Sequence, residues 1–434
     1  MTAIFDEPKV GTIANYELNA IMRGRSFPIE RQDDCLTGLP WVPANICLSP
    51  SNTIPPDNPF GPMGETKVVP DLSTRMVFPA REDRPAMALW LCDILTHDRK
   101  FWEGCPRMQL KRALNDLKAK YGLTLRVGFE HECYIHGLEE AYTPAFSLAG
   151  ARKVSGLAAE VQQILGTANT RLDQFVAEFG ENQFEISSPV RPALVAADHA
   201  VLAREAIRDA ARGRGAHATF APKPDVTKPG SGVHIHFSLW DDAGAARTAH
   251  AGAMTATSGS FTAGIVKYLE AIMAYTTPSP NSFQRIAESS WVGVYACFGV
   301  RNREAAIRLC PRNAARDGSH PAASLEFRLC DGSSNPYLAL AAIVRAGMMG
   351  LAEALDPPAS VEQDPARIPE ADRQAMGLRR VPKKLKHCLA AAAPLAPEWF
   401  GDLFWAAYDS VRRNEISDAQ SAGASYPAQL ARAI

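Results

Sequence analysis

Residues 228–238 read Lys-Pro-Gly-Ser-Gly-Val-His-Ile-His-Phe-Ser, and the alternation His234-x-His236-x-Ser238 restricts this stretch to a β-strand. Successive side chains of an extended chain point to opposite faces. The three polar groups therefore share one face, and Val233, Ile235 and Phe237 share the other. A second run, Val127-Gly-Phe-Glu-His-Glu-Cys-Tyr-Ile135, does the same with Glu130 and Glu132. Two carboxylates on one strand face repel each other unless a proton or a cation lies between them. Taken alone, a Glu-x-Glu pair is commonplace on a solvated sheet edge, and a His-x-His pair is often unrelated to metal. Here each pair interrupts an apolar strand whose opposite face carries Val127, Phe129, Val233 or Phe237, the mark of a sheet packed on its far side. The pattern predicts a metal site built on a sheet.

Three further carboxylates join it. Glu178 and Glu185 flank Phe-Gly-Glu-Asn-Gln-Phe, a tight turn running into a strand, and Glu326 shares a strand face with Arg328 in Ser-Leu-Glu-Phe-Arg-Leu. With His234 these form an oxygen-rich ligand set, which suits Mg²⁺ or Mn²⁺ and offers no thiolate to select Zn²⁺. The ligand number accommodates two ions, which could clamp a polyphosphate. Arg285, Arg301, Arg303, Arg308 and Arg328 follow in the same region. Any one of them could be a surface ion pair. Together they offer planar, permanently charged donors to carboxylate or phosphate and could stabilise a transferring phosphoryl group. No Walker loop is present, so a nucleotide would be held by metal and arginine.

The chain has 434 residues, 46% hydrophobic and 21% charged, with a net charge of −1. That length allows two domains, and the charge points to neither nucleic acid nor an anionic membrane as a partner. The Cys count of 9, with no Cys-x-x-Cys pair, reads as reduced, mostly buried thiols. No signal sequence is evident, and the longest apolar stretch, Tyr337–Leu351, is too short to span a bilayer, so the expected location is the cytoplasm. Residues 1–100 read as a small sheet-based domain, with strand-like runs at Lys67–Val69, Arg75–Phe78 and Met87–Leu95. Residues 101–434 mix helices and strands. Helical spacing marks Met108–Tyr121 with Gly122 as its stop, Leu194–Arg212, Thr255–Ala274 and Asn335–Leu355. A short strand is expected at His217–Ala221, and Asp356–Lys384 reads as a surface loop with short helical pieces.

With these motifs in view, the chain resembles the glutamine synthetase family, type I. The resemblance covers about residues 65–434. Its anchors are Pro70-Asp71-x-Ser-Thr, Glu130-x-Glu132, Glu178 with Gly180 and Gln183-Phe-Glu185, Ala221-Pro-Lys-Pro224, Gly230-Ser-Gly-Val-His234-x-His236-x-Ser238, Asn281-Ser-Phe-x-Arg285, Arg301-Asn-Arg303 with Arg308, and Glu326-x-Arg328 leading to Asn335-Pro-Tyr-Leu-Ala. It implies an α+β fold: an N-terminal β-grasp domain (1–100) and a large catalytic domain (101–434) with a curved antiparallel sheet flanked by helices. It implies one metal on Glu132, Glu178 and Glu185 and another on Glu130, His234 and Glu326. His236, Ser238 and Arg308 would contact ATP. Gly230, Arg285 and Arg328 would bind glutamate, Arg285 by its α-carboxylate and Arg328 by the reacting γ-carboxyl, while Arg303 would face the phosphates. ATP would phosphorylate the γ-carboxylate, and an amine would displace phosphate. Subunits would form a homo-oligomeric ring, hexamer or dodecamer, with active sites shared between neighbours.

The chain departs from that pattern where ammonia would bind. The family's ammonia-using members carry a glutamate a few residues after the arginine of Asn-Ser-x-x-Arg; the corresponding residue here is Trp291, with Glu288 a short register shift away. They also carry an aspartate about twenty residues before Pro-Asp, where this chain has Pro50 and Ser51, and Asp57 is the nearest carboxylate. A small cation is costly to desolvate without a paired charge, whereas Trp offers a π face and apolar area. The expected acceptor is therefore an amine larger than ammonia, whether alkyl, aryl or polyamine, with Trp291 in its pocket. Loss of both carboxylates weighs against a dication. Pro229 stands where the family has asparagine, and Ser324 where it has an ATP-contacting arginine that Arg312 or Arg316 could replace. The loop at 356–384 holds no tyrosine for adenylyl control. The competing readings are an ordinary glutamine synthetase, a two-metal phosphohydrolase and a catalytically silent ring protein.

Overall fold

Short β-forming runs near the N-terminus pair into a six-stranded sheet in this computed structural model, which describes residues 5–61, 63–139, 143–250, 253–311 and 323–434. Its strands are β1 (Val10–Tyr16), β2 (Met22–Pro28), β3 (Leu39–Trp41), β4 (Thr66–Pro70), β5 (Met76–Phe78) and β6 (Met87–Thr96), in the order β2-β1-β6-β4-β3 with β5 also on β6. β1 runs parallel to β6 and the other pairs are antiparallel. The helix Pro106–Tyr121 follows, with Pro at its start and Gly122 at φ 62° as its left-handed cap.

The second sheet has ten strands: β7 (Leu123–His136), β8 (Gln174–Ala177), β9 (Gln183–Ser187), β10 (Arg191–Pro192), β11 (His217–Thr219), β12 (Val233–Asp241), and then, after a small hairpin of β13 (Ala249–His250) and β14 (Ala253–Met254), β15 (Tyr295–Val300), β16 (Ala305–Cys310), β17 (Ser324–Phe327) and β18 (Arg379–Arg380). The order is β18-β15-β16-β17-β12-β7-β9-β8, with β10 and β11 also pairing with β7. Only β15 and β16 run parallel. Val127, Phe129, Val233, Ile235 and Phe237 are buried beneath the sheet, as the alternation predicts, against a core that includes the helices Ala193–Arg212 and Pro336–Ala352.

Buried Arg107 ties the first sheet to the helix Ala193–Arg212, bonding Asp71 at 2.7 Å, Asp93 at 2.9 Å and Asp198 at 2.8 Å. Asp71 belongs to the Pro-Asp motif, and its role here is this bridge. The expected helix 255–274 is divided at Tyr268 into Ala256–Lys267 and Leu269–Thr276, and both Lys267 and Tyr268 bond the carboxylate of Glu353. Two long helices, Leu148–Gly166 and Asp402–Ala422, were not foreseen. Residues 356–384 contain the short helix Glu370–Ala375, a 3₁₀ turn at Pro365–Arg367 and β18, close to expectation. Among the described residues all nine cysteines are free, and no helix is long and apolar enough to cross a membrane.

Candidate active site

Strand register brings the polar faces of five strands into one row. His234 pairs with Glu130, Glu132 with Glu185, and Glu326 with both His236 and Arg308. The carboxylate of Glu130 lies 3.3 Å from His234 Nδ1 and 3.2 Å from His236 Nε2. Glu326, fully buried, lies 3.7 Å from His234 and 3.8 Å from His236, and it pairs with Arg308 and Arg328. Potential ligand atoms gather within 4.8 Å in two overlapping groups, Glu130–Glu185–His234 and Glu130–His236–Glu326. Glu132 and Glu178 fall outside both groups but line the same cavity as Glu185 and His234. His236, expected along ATP, also lies within ligand distance of Glu130 and Glu326.

Electrostatics shows what this row lacks. Burial, followed by the charges of Glu130, Glu132, Glu178 and Glu326, pushes Glu185 up to about 8. Burial and then Glu132 push Glu178 up to about 7. Burial also opposes ionisation of Glu130, but hydrogen bonds and charge from His234 and His236 outweigh it and hold Glu130 far below the usual carboxylate range. His236 rises to about 10 despite its burial, through hydrogen bonds to Cys310 and Glu130 and the charges of Glu130 and Glu326. Without a cation, Glu178 and Glu185 favour their protonated forms, and the oxygen-rich donors of this site fit hard divalent cations. One neighbour was missed: Cys310 accepts from Arg308 Nε at 3.2 Å, and its thiol lies 3.7 Å from Glu326.

A cavity of about 730 Å³ opens beside this row. Arg285, almost fully buried, crosses its floor and donates to the Cys330 carbonyl at 3.0 Å. Arg285 explains the two glycines of the turn at 230–232, since a Cβ at Gly230 would lie 2.4 Å from its Cγ and one at Gly232 3.0 Å from its Nη1. Gln183 Nε2 donates to the Gly230 carbonyl and Tyr134 Oη to that of Pro229, each at 2.9 Å. Arg303 lines the same wall, and its carbonyl accepts from Arg328 Nε at 3.0 Å. Arg328 also bonds Glu326 and the Trp291 carbonyl, so three of the roughly five N–H donors of a guanidinium are taken by protein. Glu130, His236, Ser238, Arg308 and Glu326 are not in the cavity wall. The Ser238 hydroxyl is buried and accepts from Trp240 Nε1 at 2.8 Å. Ser324 Oγ lies 3.4 Å from His236 Nδ1. Arg312 and Arg316 fall outside the described residues.

Trp291 is not a core residue: it is 51% exposed and lines the cavity. Glu288 is engaged elsewhere, with Arg380 and the Tyr295 hydroxyl. Asp57 is bonded by Ser410 and Arg413 at 2.7 Å each, and Ser51 reaches Asp418. Two aromatic side chains that the motifs did not mark out, Phe146 and Phe179, join Trp291 in the wall. Glu304, also missed, accepts the Trp291 backbone N–H at 2.8 Å.

Comparison with known proteins agrees with this geometry. The family "glutamine synthetase, catalytic domain" matches residues 103–429. The γ-glutamylpolyamine synthetase GlnA3 of Streptomyces coelicolor is 35% identical over 342 residues, 76% of this chain and 72% of that protein. The glutamine synthetase of Thermococcus kodakarensis is 34% identical over 295 residues, 66% of this chain and 65% of its own length. A crystal structure described as a novel glutamine synthase homolog aligns over 99% of this chain and 98% of that one, with a TM-score of 0.86 and 28% identity. A sheet bearing this ligand row, beside an arginine-floored cavity and in a chain matched over most of its length, places the protein in the glutamine synthetase family.

Proposed function

We propose that this ATP-dependent, amide-forming ligase joins the γ-carboxylate of glutamate to an amine larger than ammonia, through a γ-glutamyl phosphate. One observation carries the reading. Among the described residues, the carboxylates lining the cavity are Glu132, Glu178 and Glu185, of which Glu185 belongs to a potential ligand group and all three are metal ligands by the resemblance. None is left to pair with an ammonium ion, and Trp291 occupies the place where the resemblance implies a glutamate.

Glu130, Glu132, Glu178, Glu185, His234 and Glu326 would hold two or more divalent ions, Mg²⁺ or Mn²⁺, with His236 close by. The ions supply Lewis-acid neutralisation of phosphate charge. Arg285 would grip the α-carboxylate of glutamate beside the Gly230 turn. Arg303 and Arg308 would face the phosphates, His236 and Ser238 would follow the nucleotide, and Arg328 would orient the γ-carboxyl. A carboxylate is a poor electrophile, and phosphorylation turns one of its oxygens into a leaving group. The amine then attacks the acyl carbon and phosphate departs. The division into domains 1–100 and 101–434, cytoplasmic location and assembly into a homo-oligomeric ring belong to the same proposal.

The test is ADP release with glutamate and a panel of ammonia, methylamine, isopropylamine, aniline, ethanolamine and putrescine, with the amide identified by mass. Ammonia giving the highest kcat/KM would restore the ordinary glutamine synthetase reading.

A further inference from the structure

Three aromatic rings converge at the cavity wall. Phe146 and Phe179 meet edge to face with centroids 5.2 Å apart and planes at 90°, and Phe179 and Trp291 meet at 5.6 Å and 66°. All three line the cavity, yet they are 57%, 57% and 51% exposed. So much aromatic surface left open inside a charged cavity costs hydrophobic free energy unless a ligand covers it. Two of the three also sit in strained backbone, Phe146 at φ 59° and Trp291 at φ 58°. A bulky side chain adopts that conformation only where the surroundings impose it.

The surroundings do impose it. The Phe146 N–H donates to the Ala177 carbonyl at 2.8 Å, and Glu178 N–H donates to the Gln183 carbonyl at 2.9 Å, fixing the approach to Phe179. Trp291 is held through its N–H by Glu304 and through its carbonyl by Arg328. The rings are therefore pre-positioned, which reduces the ordering cost of binding a flat ligand.

The charge of the cavity restricts that ligand further. With Glu132, Glu178 and Glu185 assigned to metal in the ligase reading, the remaining charged groups in its wall, apart from His234, are Lys223, Arg285, Arg303 and Arg328. In the same reading the three arginines serve glutamate and phosphate, so no charged group of the wall is left as a counter-ion for a protonated amine, and a diamine would bring two charges with no carboxylate for either. An amine whose nitrogen is bonded to an aromatic ring is largely neutral near pH 7, because its lone pair is delocalised. It needs no carboxylate for binding and no base before attack.

Building on the ligase reading above, we propose that the acceptor is a weakly basic arylamine whose ring packs among Phe146, Phe179 and Trp291. In the second half-reaction the arylamine nitrogen forms a bond to the γ-acyl carbon and the carbon–oxygen bond to phosphate breaks. One nitrogen proton leaves with the phosphate, so the products are the γ-glutamyl anilide and hydrogen phosphate, with no other base consumed.

The experiment uses the full chain with Mg²⁺, ATP and glutamate, and compares aniline with methylamine, benzylamine and putrescine. Aniline is expected to have a kcat/KM at least about tenfold above the others at pH 7. Phe146→Ala is expected to lower the ratio of aniline to methylamine efficiency about 10- to 100-fold, the scale of losing one ring contact. Phe146→Leu, which keeps apolar area without a ring face, is expected to give an intermediate ratio. Putrescine or methylamine exceeding aniline overturns the arylamine assignment while leaving amide ligation intact. An unchanged ratio in both variants overturns it too, as does dissociation of an assembly by Phe146→Ala, which would make the rings a contact with a second copy. Phosphate release from ATP without any amide product would overturn the underlying ligase reading itself.

Discussion

The carbonyl of Trp291 accepts a 2.7 Å hydrogen bond from Nη2 of Arg328, a side chain only 2% exposed. Glu304 takes the N–H of the same residue through Oε1, while its Oε2 is buried without a hydrogen-bond partner. Glu304 thus positions Trp291 and has no direct route to substrate. Glu304→Ala should raise the KM for the amine about tenfold, with a smaller change in kcat and in the KM for ATP. Its stability cost should be about 1 kcal/mol, because a freed backbone N–H is partly offset by removal of an unpartnered oxygen. Steady-state kinetics and urea unfolding check this; a kcat loss with unchanged amine KM would mean that Glu304 acts elsewhere.

Trp291→Glu should place a carboxylate at the proposed acceptor side of the cavity. Ammonia kcat/KM is expected to rise at least about tenfold while that of larger amines falls, because a paired charge lowers the cost of desolvating a small cation. Trp and Glu both carry a Cβ, so the cost of the left-handed backbone at φ 58° is common to the two proteins, and thermal melting beside the kinetics should show little change in stability. Ammonia use that stays flat in a folded variant would refute the assignment of this position.

Metal binding should be linked to pH. Glu185 at about 8 and Glu178 at about 7 bind protons more tightly in the metal-free native state than in the unfolded chain. Where the native state holds more protons, stability falls as pH rises, here from the ordinary carboxylate range up through about 8. Divalent ions replace those protons. The increase in Tm given by Mg²⁺ should therefore grow between about pH 5.5 and pH 8.5, and Glu185→Gln should flatten that growth. Equal Mg²⁺ effects at both ends of the range would contradict the ligand assignment.

Gly230→Ala should disable the glutamate side alone. The added methyl would meet Arg285 Cγ at 2.4 Å and the Pro222 carbonyl at 2.9 Å, so the guanidinium must move. The KM for glutamate is expected to rise at least about tenfold, since a displacement of about 1 Å can cost 100-fold, while ATP binding measured by calorimetry is retained. Matching losses for both ligands would indicate a wider collapse of the loop.

Arg107→Ala should be the most destabilising of these changes. It leaves Asp198 buried without its guanidinium and cuts the link to Asp71 and Asp93, for a cost of about 3–5 kcal/mol. Chemical unfolding would measure it, and a loss below about 1 kcal/mol would show that the bridge is dispensable.

What could be read from the residues is what alternation and spacing encode. β7 and β12 were legible because their polar faces interrupt apolar strands, and the helix ending at Gly122 was legible from its period and its stop. Leu148–Gly166 carries Val154, Leu157, Val161 and Ile164 at helical spacing, but glycines and small residues between them dilute the signal. The break at Tyr268 is accompanied by contacts to Glu353, which lies in a different part of the sequence. Cys310 reaches the ligand row only through the pairing of β16 with β17. Phe146 lies in an irregular loop with a left-handed backbone, where no period exists to mark it. Trp291 was found because it occupied a position where a carboxylate was expected, whereas its two aromatic companions replaced nothing conspicuous.

Arg328 joins the strand of Glu326 to the loop of Trp291 through a single guanidinium group. Any attempt to retool nitrogen-donor preference by transplanting the 286–292 segment from another ligase must therefore supply a carbonyl at the same spot. A graft lacking it would leave that guanidinium held only by Glu326 and the Arg303 carbonyl, so the loop and the strand end must be redesigned together.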